Sequence, residues 1–213
     1  MLLSVSGLIG SGKDTVAEYL VSNYGFNKLS FASSLKDAVS SVFGWNRDYL
    51  EGTTTASRAW RDTVDTWWAK RLNIPHLTPR WILQYWGTEV CRNHFHVDIW
   101  IASVEYKLLQ TPNNVVITDC RFINEINSIK RSGGKTLRIH RGEQPNWYSW
   151  AVDLNTNPSP IAQDVALFNL TKSKIHVSEY SSVGLKYDNE IENNSTLDAL
   201  WHTVDEFMVS VMV

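Results

Sequence analysis

A glycine-rich string near the start of the chain constrains the fold more than any other feature. Residues 7–15 read GLIGSGKDT, in which Gly7, Gly12 and Lys13 satisfy the pattern G-x-x-x-x-G-K. The short segment Leu2–Ser6 precedes the string and predicts a buried strand, and residues 13–24 have the apolar spacing of a helix, with Val16, Ala17 and Leu20 on one face. Glycines let backbone N–H groups turn toward phosphate oxygens, and the helix adds its positive N-terminal end. The string therefore predicts a P-loop that binds a nucleoside triphosphate.

The residues expected to hold ATP are Gly10, Ser11, Gly12, Lys13, Asp14 and Thr15. The position after the P-loop lysine is usually Ser or Thr, whose hydroxyl holds Mg²⁺, but here it is Asp14, followed by Thr15. A carboxylate beside a triphosphate is repelled unless metal or water lies between them. Asp14 therefore either helps to hold magnesium through water, with Thr15 as a further candidate ligand, or points away and stabilises the N-terminus of its helix.

Composition excludes several classes of protein. The chain has 213 residues, 43% hydrophobic and 20% charged, which is typical of one folded domain. A formal net charge of -2 argues against a nucleic-acid partner held by bulk charge. The two cysteines, Cys91 and Cys120, lack metal-ligand spacing, so we expect a reducing cytoplasm. There is no signal-peptide pattern and no run of about 18 apolar residues, so no membrane partner is expected.

Strand and helix patterns alternate along the chain. The segments that predict strands are residues 2–6, 26–31, 114–119, 135–140 and 187–192. The helical spacing between them predicts an α/β fold, with three αβα layers around a five-stranded, mostly parallel sheet. Ser195 and Asp198 predict a capping box before a final helix over residues 196–209.

Two insertions interrupt a single domain, 1–213, whose core comprises about residues 1–44, 111–141 and 172–213. The first insertion, about 45–110, is expected to be wholly helical and holds seven of the ten tryptophans, which either fill a core or stack on a ligand. The second, about 142–171, contains Pro145, Pro158 and Pro160 and predicts an irregular, mobile flap.

Three polar residues follow the predicted strand 114–119. Asp119 ends that strand beside the P-loop, at the sheet edge where such folds bind ligands, and is a candidate to position magnesium. Arg121 could hold a phosphate through two parallel hydrogen bonds. Glu125 either orients that arginine or is a solvated helix residue. Position 120 carries no second acid to orient an attacking water, which favours transfer to an acceptor phosphate over hydrolysis.

Several strings in this order resemble those of bacteriophage deoxynucleoside monophosphate kinases. They are GKDT at 12–15, FASSLK at 31–36, TPR at 78–80 with QYWGTE at 84–89, DCRFINE at 119–125, HVSE at 176–179 and NNS at 193–195. The resemblance implies a P-loop kinase fold with a helical monophosphate-binding region and a lid, which agrees with the two insertions. It implies ATP with Mg²⁺ as cofactor, γ-phosphate transfer to a deoxynucleoside monophosphate (dNMP), and makes a homodimer plausible. Where some relatives carry a basic residue in the P-loop, this chain has Ile9.

Two anionic substrates need several cations. We expect the catalytic cations to be Lys13, Arg121 and Arg141, which lies nearer the lid than Arg138. The residues expected to bind the dNMP are Lys36, Arg80, Gln84, Arg92, Arg121, Trp147 and Trp150. Arg80 and Gln84 are four apart and share a helix face. These residues also have structural alternatives. Lys36 would be an ordinary exposed lysine, Arg80, Gln84 and Arg92 would lie on a solvated helix face, and the two tryptophans would serve only hydrophobic packing.

Two rival functions remain open at this point. One is another small-molecule P-loop kinase, similar to dephospho-coenzyme A kinase, and the Arg80 and Gln84 pair modestly favours a nucleotide acceptor instead. The other is a nucleotide-binding switch or nucleic-acid-processing ATPase, which the net charge and the missing acid at position 120 disfavour.

Overall fold

A single sheet forms the centre of the fold, in the computed structural model that describes residues 1–111 and 114–212. Its strands are β1 (Leu2–Ser6), β2 (Asn27–Leu29), β3 (Val115–Ile117), β4 (Lys135–His140) and β5 (Asn189–Glu192). Their order is β2-β3-β1-β4-β5, and every pairing is parallel. Parallel neighbours need crossover connections, which helices supply here. The α/β, P-loop kinase fold is therefore confirmed, with a sheet that is wholly parallel.

Helices account for most of the remaining described residues. They are α1 (Lys13–Tyr24), α2 (Ser33–Phe43), α3 (Arg47–Glu51), α4 (Thr55–Arg61), α5 (Thr66–Leu72), α6 (Pro79–Gln84), a π-helix (Tyr85–Phe95), α7 (Ile99–Leu108), α8 (Ile123–Arg131), α9 (Tyr148–Thr156), α10 (Pro160–Lys172), α11 (Val177–Tyr180) and α12 (Leu197–Met212). The predicted helix after the glycines matches α1, which ends where Gly25 adopts a left-handed conformation with φ of 67°.

The chain divides into two compact units. The sheet unit comprises Met1–Ser30 and Leu108–Val213, and the helical unit comprises Phe31–Lys107. In the sheet unit, β1 lies in the middle of the strand order and its Leu3 and Val5 are fully buried. Helices α1 and α12 pack on that strand through residues such as Leu20 and Val204. The P-loop therefore starts at the centre of the carboxyl edge of the sheet.

The segment predicted to be an irregular flap is instead helical, so that expectation is wrong. Helices α9 and α10 pack against each other, and Ala151 and Leu170 meet in a small buried core with Tyr180 and Val183. Pro160 is the first residue of α10, a position where its missing N–H has no helical partner to lose. Proline here marks a helix start rather than irregular chain.

Every regular element between Arg47 and Leu108 is a helix, as expected for the insertion at about 45–110, although the compact helical unit has other bounds, Phe31–Lys107. Its tryptophans build a core: Trp45 stacks on Phe43 at 4.5 Å between ring centroids, and Trp68 packs edge-on at 4.9 Å. The buried indole N–H groups find acceptors, since Trp100 donates to the carbonyl of Gly87 at 2.9 Å. Trp45, Trp68 and Trp100 therefore fill a core, the first of the two roles that the sequence leaves open, whereas Trp67 is 62% exposed.

The final helix begins one residue later than the sequence predicts. The Thr196 hydroxyl, rather than that of Ser195, accepts the backbone N–H of Ala199 at 3.3 Å. Within residues 1–111 and 114–212, none of the helices has the length and apolar content needed to cross a bilayer.

Candidate active site

The P-loop turns sharply between β1 and α1, and its glycines are required by close approaches. Gly12 has a left-handed φ of 96°, and a Cβ there would collide with the side-chain amide of Asn193. A Cβ on Gly7 would collide with the Ser11 hydroxyl and the Ile139 carbonyl. The loop is therefore packed closely against the ends of β4 and β5.

Asn193 holds the loop in that position. Its side-chain amide donates to the Ser11 carbonyl at 2.9 Å, and its backbone N–H donates to the His140 carbonyl at 2.7 Å. The residue is only 7% exposed, so water cannot readily replace these bonds. Asn193 thus ties the P-loop to the strand ends beside it.

A cleft opens at the carboxyl edge of the sheet, next to the P-loop. The charged residues that line it are Lys13, Asp119, Arg121, Arg138 and Glu179. Burial lowers the pKa of Lys13, and Arg121 adds to that effect, whereas Asp14, Glu179 and Asp119 oppose it. The three cations outnumber the two carboxylates, so the cleft carries a net positive charge, which favours an anionic ligand.

The loop between β3 and α8 carries Asp119 and Arg121 into this cleft. Asp119 accepts a hydrogen bond from the Ser30 hydroxyl at 2.6 Å. The buried carboxylate of Glu125 accepts the backbone N–H groups of Arg121 at 2.6 Å and Phe122 at 3.1 Å. Glu125 therefore positions the backbone of Arg121, so the solvated-residue alternative is wrong.

The guanidinium of Arg121 points toward α11. Its Nη1 lies 2.6 Å from the Glu179 carboxylate, and its side chain is 42% exposed. Burial works to lower the pKa of Arg121, but Glu179, Asp119 and Glu125 raise it further, so the net shift is upward. The arginine is held by one edge and presents its other donors to the cleft.

Asp14 and Thr15 follow Lys13 in the first turn of α1. The Asp14 carboxylate is 59% exposed and lies 3.3 Å from the Lys28 ammonium and 3.7 Å from that of Lys13. Thr15 is half-buried. Among the described residues no group of three or more His, Cys, Asp or Glu side chains is arranged to hold a metal.

The two arginines of β4 and its extension have different surroundings. Arg141, the expected transition-state cation, is exposed at the rim of a second cleft, which its neighbours His140 and Gln144 also line. Arg138 is 3% exposed and lines both clefts. Arg141 is expected in the site only from its nearness to the lid, and that nearness does not indicate which arginine is enclosed by the clefts.

Trp147 and Trp150 pack against the buried core formed by α9, α10 and the residues around α11. Both side chains are half-buried. This arrangement corresponds to the hydrophobic-packing alternative.

The remaining expected acceptor residues lie in the helical unit. The Lys36 ammonium is 2.6 Å from the Glu51 carboxylate, and Arg80 forms a two-bond ion pair with Asp62. Gln84 is the last residue of α6 and is half-buried. The buried Arg92 donates to the Val97 carbonyl at 3.1 Å.

All of the QYWGTE string except Gln84 lies on the π-helix Tyr85–Phe95. π-Helical turns are rare and are frequent at functional sites. Nothing in the spacing of apolar residues distinguishes such a helix from an α-helix, so the sequence did not predict it.

Three residues of the site were missed as functional candidates: Asn193, Glu179 and Arg138. Asn193 and Glu179 do belong to strings that carry the family resemblance, so the signal was present without a role attached. Arg138 had a weaker signal: it lies between Leu137 and Ile139 in the middle of a predicted strand, where an arginine is unusual because buried arginines are rare.

Comparison with known proteins identifies the family. A mimivirus (Acanthamoeba polyphaga mimivirus) protein described as a "putative deoxynucleotide monophosphate kinase" is 32% identical over 156 residues, covering 66% of this chain and 74% of that protein. No protein-family model matches. Solved structures with a similar chain path include Aquifex aeolicus shikimate kinase (TM-score 0.45, 16% identity, 100% of this chain and 96% of that one) and Campylobacter jejuni dephospho-CoA kinase (TM-score 0.46, 13% identity, 99% and 96%). The identity and coverage of the mimivirus relative show that this chain belongs to the deoxynucleotide monophosphate kinase family.

Proposed function

We propose that this protein is a dNMP kinase, which transfers the γ-phosphate of ATP to a deoxynucleoside monophosphate and yields a dNDP and ADP. The observation that carries the proposal is the cleft beside the P-loop, where Lys13, Asp119 and Arg121 converge. The family relationship supports the nucleotide acceptor, because the mimivirus relative bears that name.

Phosphoryl transfer of this kind depends mainly on positioning and charge neutralisation. Lys13 supplies a compact positive charge for the β- and γ-phosphates. Arg121, held at one edge by Glu179, offers its remaining donors to the transferred group. The acceptor oxygen belongs to a phosphate whose second pKa is about 6, so it is already ionised near neutral pH and needs no general base.

Magnesium is part of the proposal, and the donor set suits it. In kinases Mg²⁺ is bound through one or two carboxylates with phosphate and water oxygens completing the shell, so no cluster of protein ligands is needed. Asp119 is our candidate ligand, with Thr15 contributing through water. The bound ion would neutralise charge between the phosphates. Asp14 faces two lysines, which favours the helix-stabilising alternative for its carboxylate.

For the acceptor we retain the candidates of the helical unit, Lys36, Arg80, Gln84 and Arg92. Lys36 and Arg80 each hold a carboxylate partner. A phosphate would exchange with those carboxylates. We give Trp147 and Trp150 a lower place among the candidates, since both pack in a hydrophobic cluster.

The test is a coupled ADP-release assay with ATP and magnesium against each common dNMP and NMP. We expect turnover with at least one dNMP and loss of it in Lys13→Ala. Lys70→Ala, an exposed lysine on α5, is the matched control and should retain wild-type rates. Release of ADP no faster with any monophosphate than with ATP alone would contradict the proposal. A product confirmed as dNDP by chromatography would exclude simple ATP hydrolysis.

A further inference from the structure

Arg138 is a buried arginine at the centre of the phosphate-binding region. It lies on β4, where it pairs in register with Ser6, the residue that precedes the P-loop. Only 3% of the residue is exposed, yet it lines the cleft that holds Lys13 and Arg121 and also the second cleft along the P-loop. A cation is thus built into the inner wall of the site.

The protein partners of this guanidinium are neutral. Its Nη1 donates to the Ser182 carbonyl at 2.8 Å and to the Tyr187 hydroxyl at 3.3 Å. The guanidinium carbon lies 5.3 Å from the ring centroid of Tyr187 and 6.0 Å from that of Tyr148. Within the part of the chain that the structure describes, no carboxylate forms an ion pair with it, and its buried Nε–H has no acceptor.

This environment differs from that of the other cations in the cleft. Lys13 lies 3.7 Å from Asp14, and Arg121 lies 2.6 Å from Glu179. A buried charge without a counter-charge destabilises a fold unless a ligand supplies one. An oxyanion in the cleft would supply that counter-charge to Arg138.

We propose that Arg138 binds the terminal phosphate of ATP. The backbone of a P-loop holds the α- and β-phosphates and its lysine reaches the β- and γ-phosphates. The γ-phosphate is therefore the group that we expect to contact Arg138, in the cleft that Arg138 shares with Lys13 and Arg121. The planar fork of arginine suits a phosphate with two free oxygens. This role rests on the proposed function only in taking ATP as the donor nucleotide.

A purely structural role makes a different prediction. If Arg138 served only to join β4 to residues 182 and 187, its loss would lower stability and would affect ATP and ADP equally. A contact with the terminal phosphate affects ATP alone, because ADP lacks that group. The ratio of the two dissociation constants therefore separates the alternatives.

The experiment compares Arg138→Met with the wild type by calorimetric titration of ATP and of ADP, each with magnesium and without an acceptor. We expect the Kd for ATP to rise about 10- to 100-fold, as for the loss of a hydrogen bond to a charged group, and the Kd for ADP to stay within about twofold. Arg131→Met, an exposed arginine at the end of α8, should change neither. Since no acceptor is present, the result does not depend on whether a dNMP is phosphorylated.

If the ratio of the Kd for ATP to the Kd for ADP is unchanged in Arg138→Met, whether neither nucleotide or both bind more weakly, the assignment is overturned. If that variant fails to fold, Arg138→Lys decides the question. It keeps the charge but not the fork, so we expect a smaller loss that is still selective for ATP. A wild-type ratio in Arg138→Lys would then refute the contact.

Discussion

Removal of the Glu125 carboxylate should lower both the stability of the protein and its rate of phosphoryl transfer. Glu125→Ala removes the acceptor for two backbone N–H groups, those of Arg121 and Phe122. Each hydrogen bond to a charged group contributes about 1.5–3 kcal/mol. The two N–H groups lie near the cleft and can be partly rehydrated, so we expect a loss of about 3 kcal/mol in the free energy of unfolding, at the lower end of the sum.

The magnitude converts into a measurable temperature. With an unfolding entropy of about 2.1 cal/mol/K per residue, a chain of 213 residues has about 0.45 kcal/mol/K, so the expected fall in Tm is about 7 °C. Calorimetry measures it, with Glu18→Ala, an exposed carboxylate on α1, as control. In the coupled assay kcat should fall too, because the same loop carries Asp119 and Arg121. A fall in Tm of less than about 1 °C, instead of the expected fall of about 7 °C, would refute the positioning role of Glu125.

Two further predictions concern other contacts. Asn193→Asp replaces the amide that donates to the Ser11 carbonyl by a carboxylate of the same shape. The carboxylate would repel both that carbonyl and the phosphates of ATP, so we expect the Kd for ATP to rise at least about tenfold. An unchanged Kd in a calorimetric titration would contradict this prediction. Tyr24 donates to Asp205 at 2.7 Å, and this hydrogen bond, together with burial, raises its pKa to about 12. Because the folded state holds this proton more tightly, the stabilisation is present below the ordinary pKa of about 10 and is lost as the pH rises from 10 toward 12. The stability advantage of the wild type over Tyr24→Phe in urea unfolding should shrink across that range, and a constant difference would refute the link.

The parts of the fold that sequence predicts well are those with a strong local signal. Strand Lys135–His140 and helix Lys13–Tyr24 match the prediction residue for residue, because glycines bound both and the apolar spacing is regular. Helix Pro160–Lys172 is not predicted, because its own apolar residues are spread around the whole helix and form no amphipathic stripe. Several of them, including Ile161 and Phe168, are exposed, so burial did not impose a pattern.

The site divides in a similar way. The P-loop lysine is fixed by a local string, and Asp119 by the rule that polar residues at strand ends meet at one sheet edge. The pairing of Arg121 with Glu179 spans 58 positions and depends on where α11 packs. Arg138, rather than Arg141, is buried beside the cleft because residues distant in the sequence, such as Ser182, pack over β4. The spacing of residues within the strand contains no information about that packing.

The way the candidate cations are paired bears on how the site would bind phosphate. In the sheet unit, Arg121 already contacts the Glu179 carboxylate, so a phosphate that binds it gains only the difference between itself and that partner. In the helical unit, the proposed acceptor residues Lys36 and Arg80 are each paired with a carboxylate in the same way. Such pairing holds the cation in position before substrate arrives, which lowers the entropic cost of binding. Arg138 has no such partner among the described residues, so an anion that reaches it retains the full interaction. Under the assignments proposed above, the pre-positioned Arg121 would orient a phosphate, and the uncompensated Arg138 would favour the nucleotide with the larger negative charge.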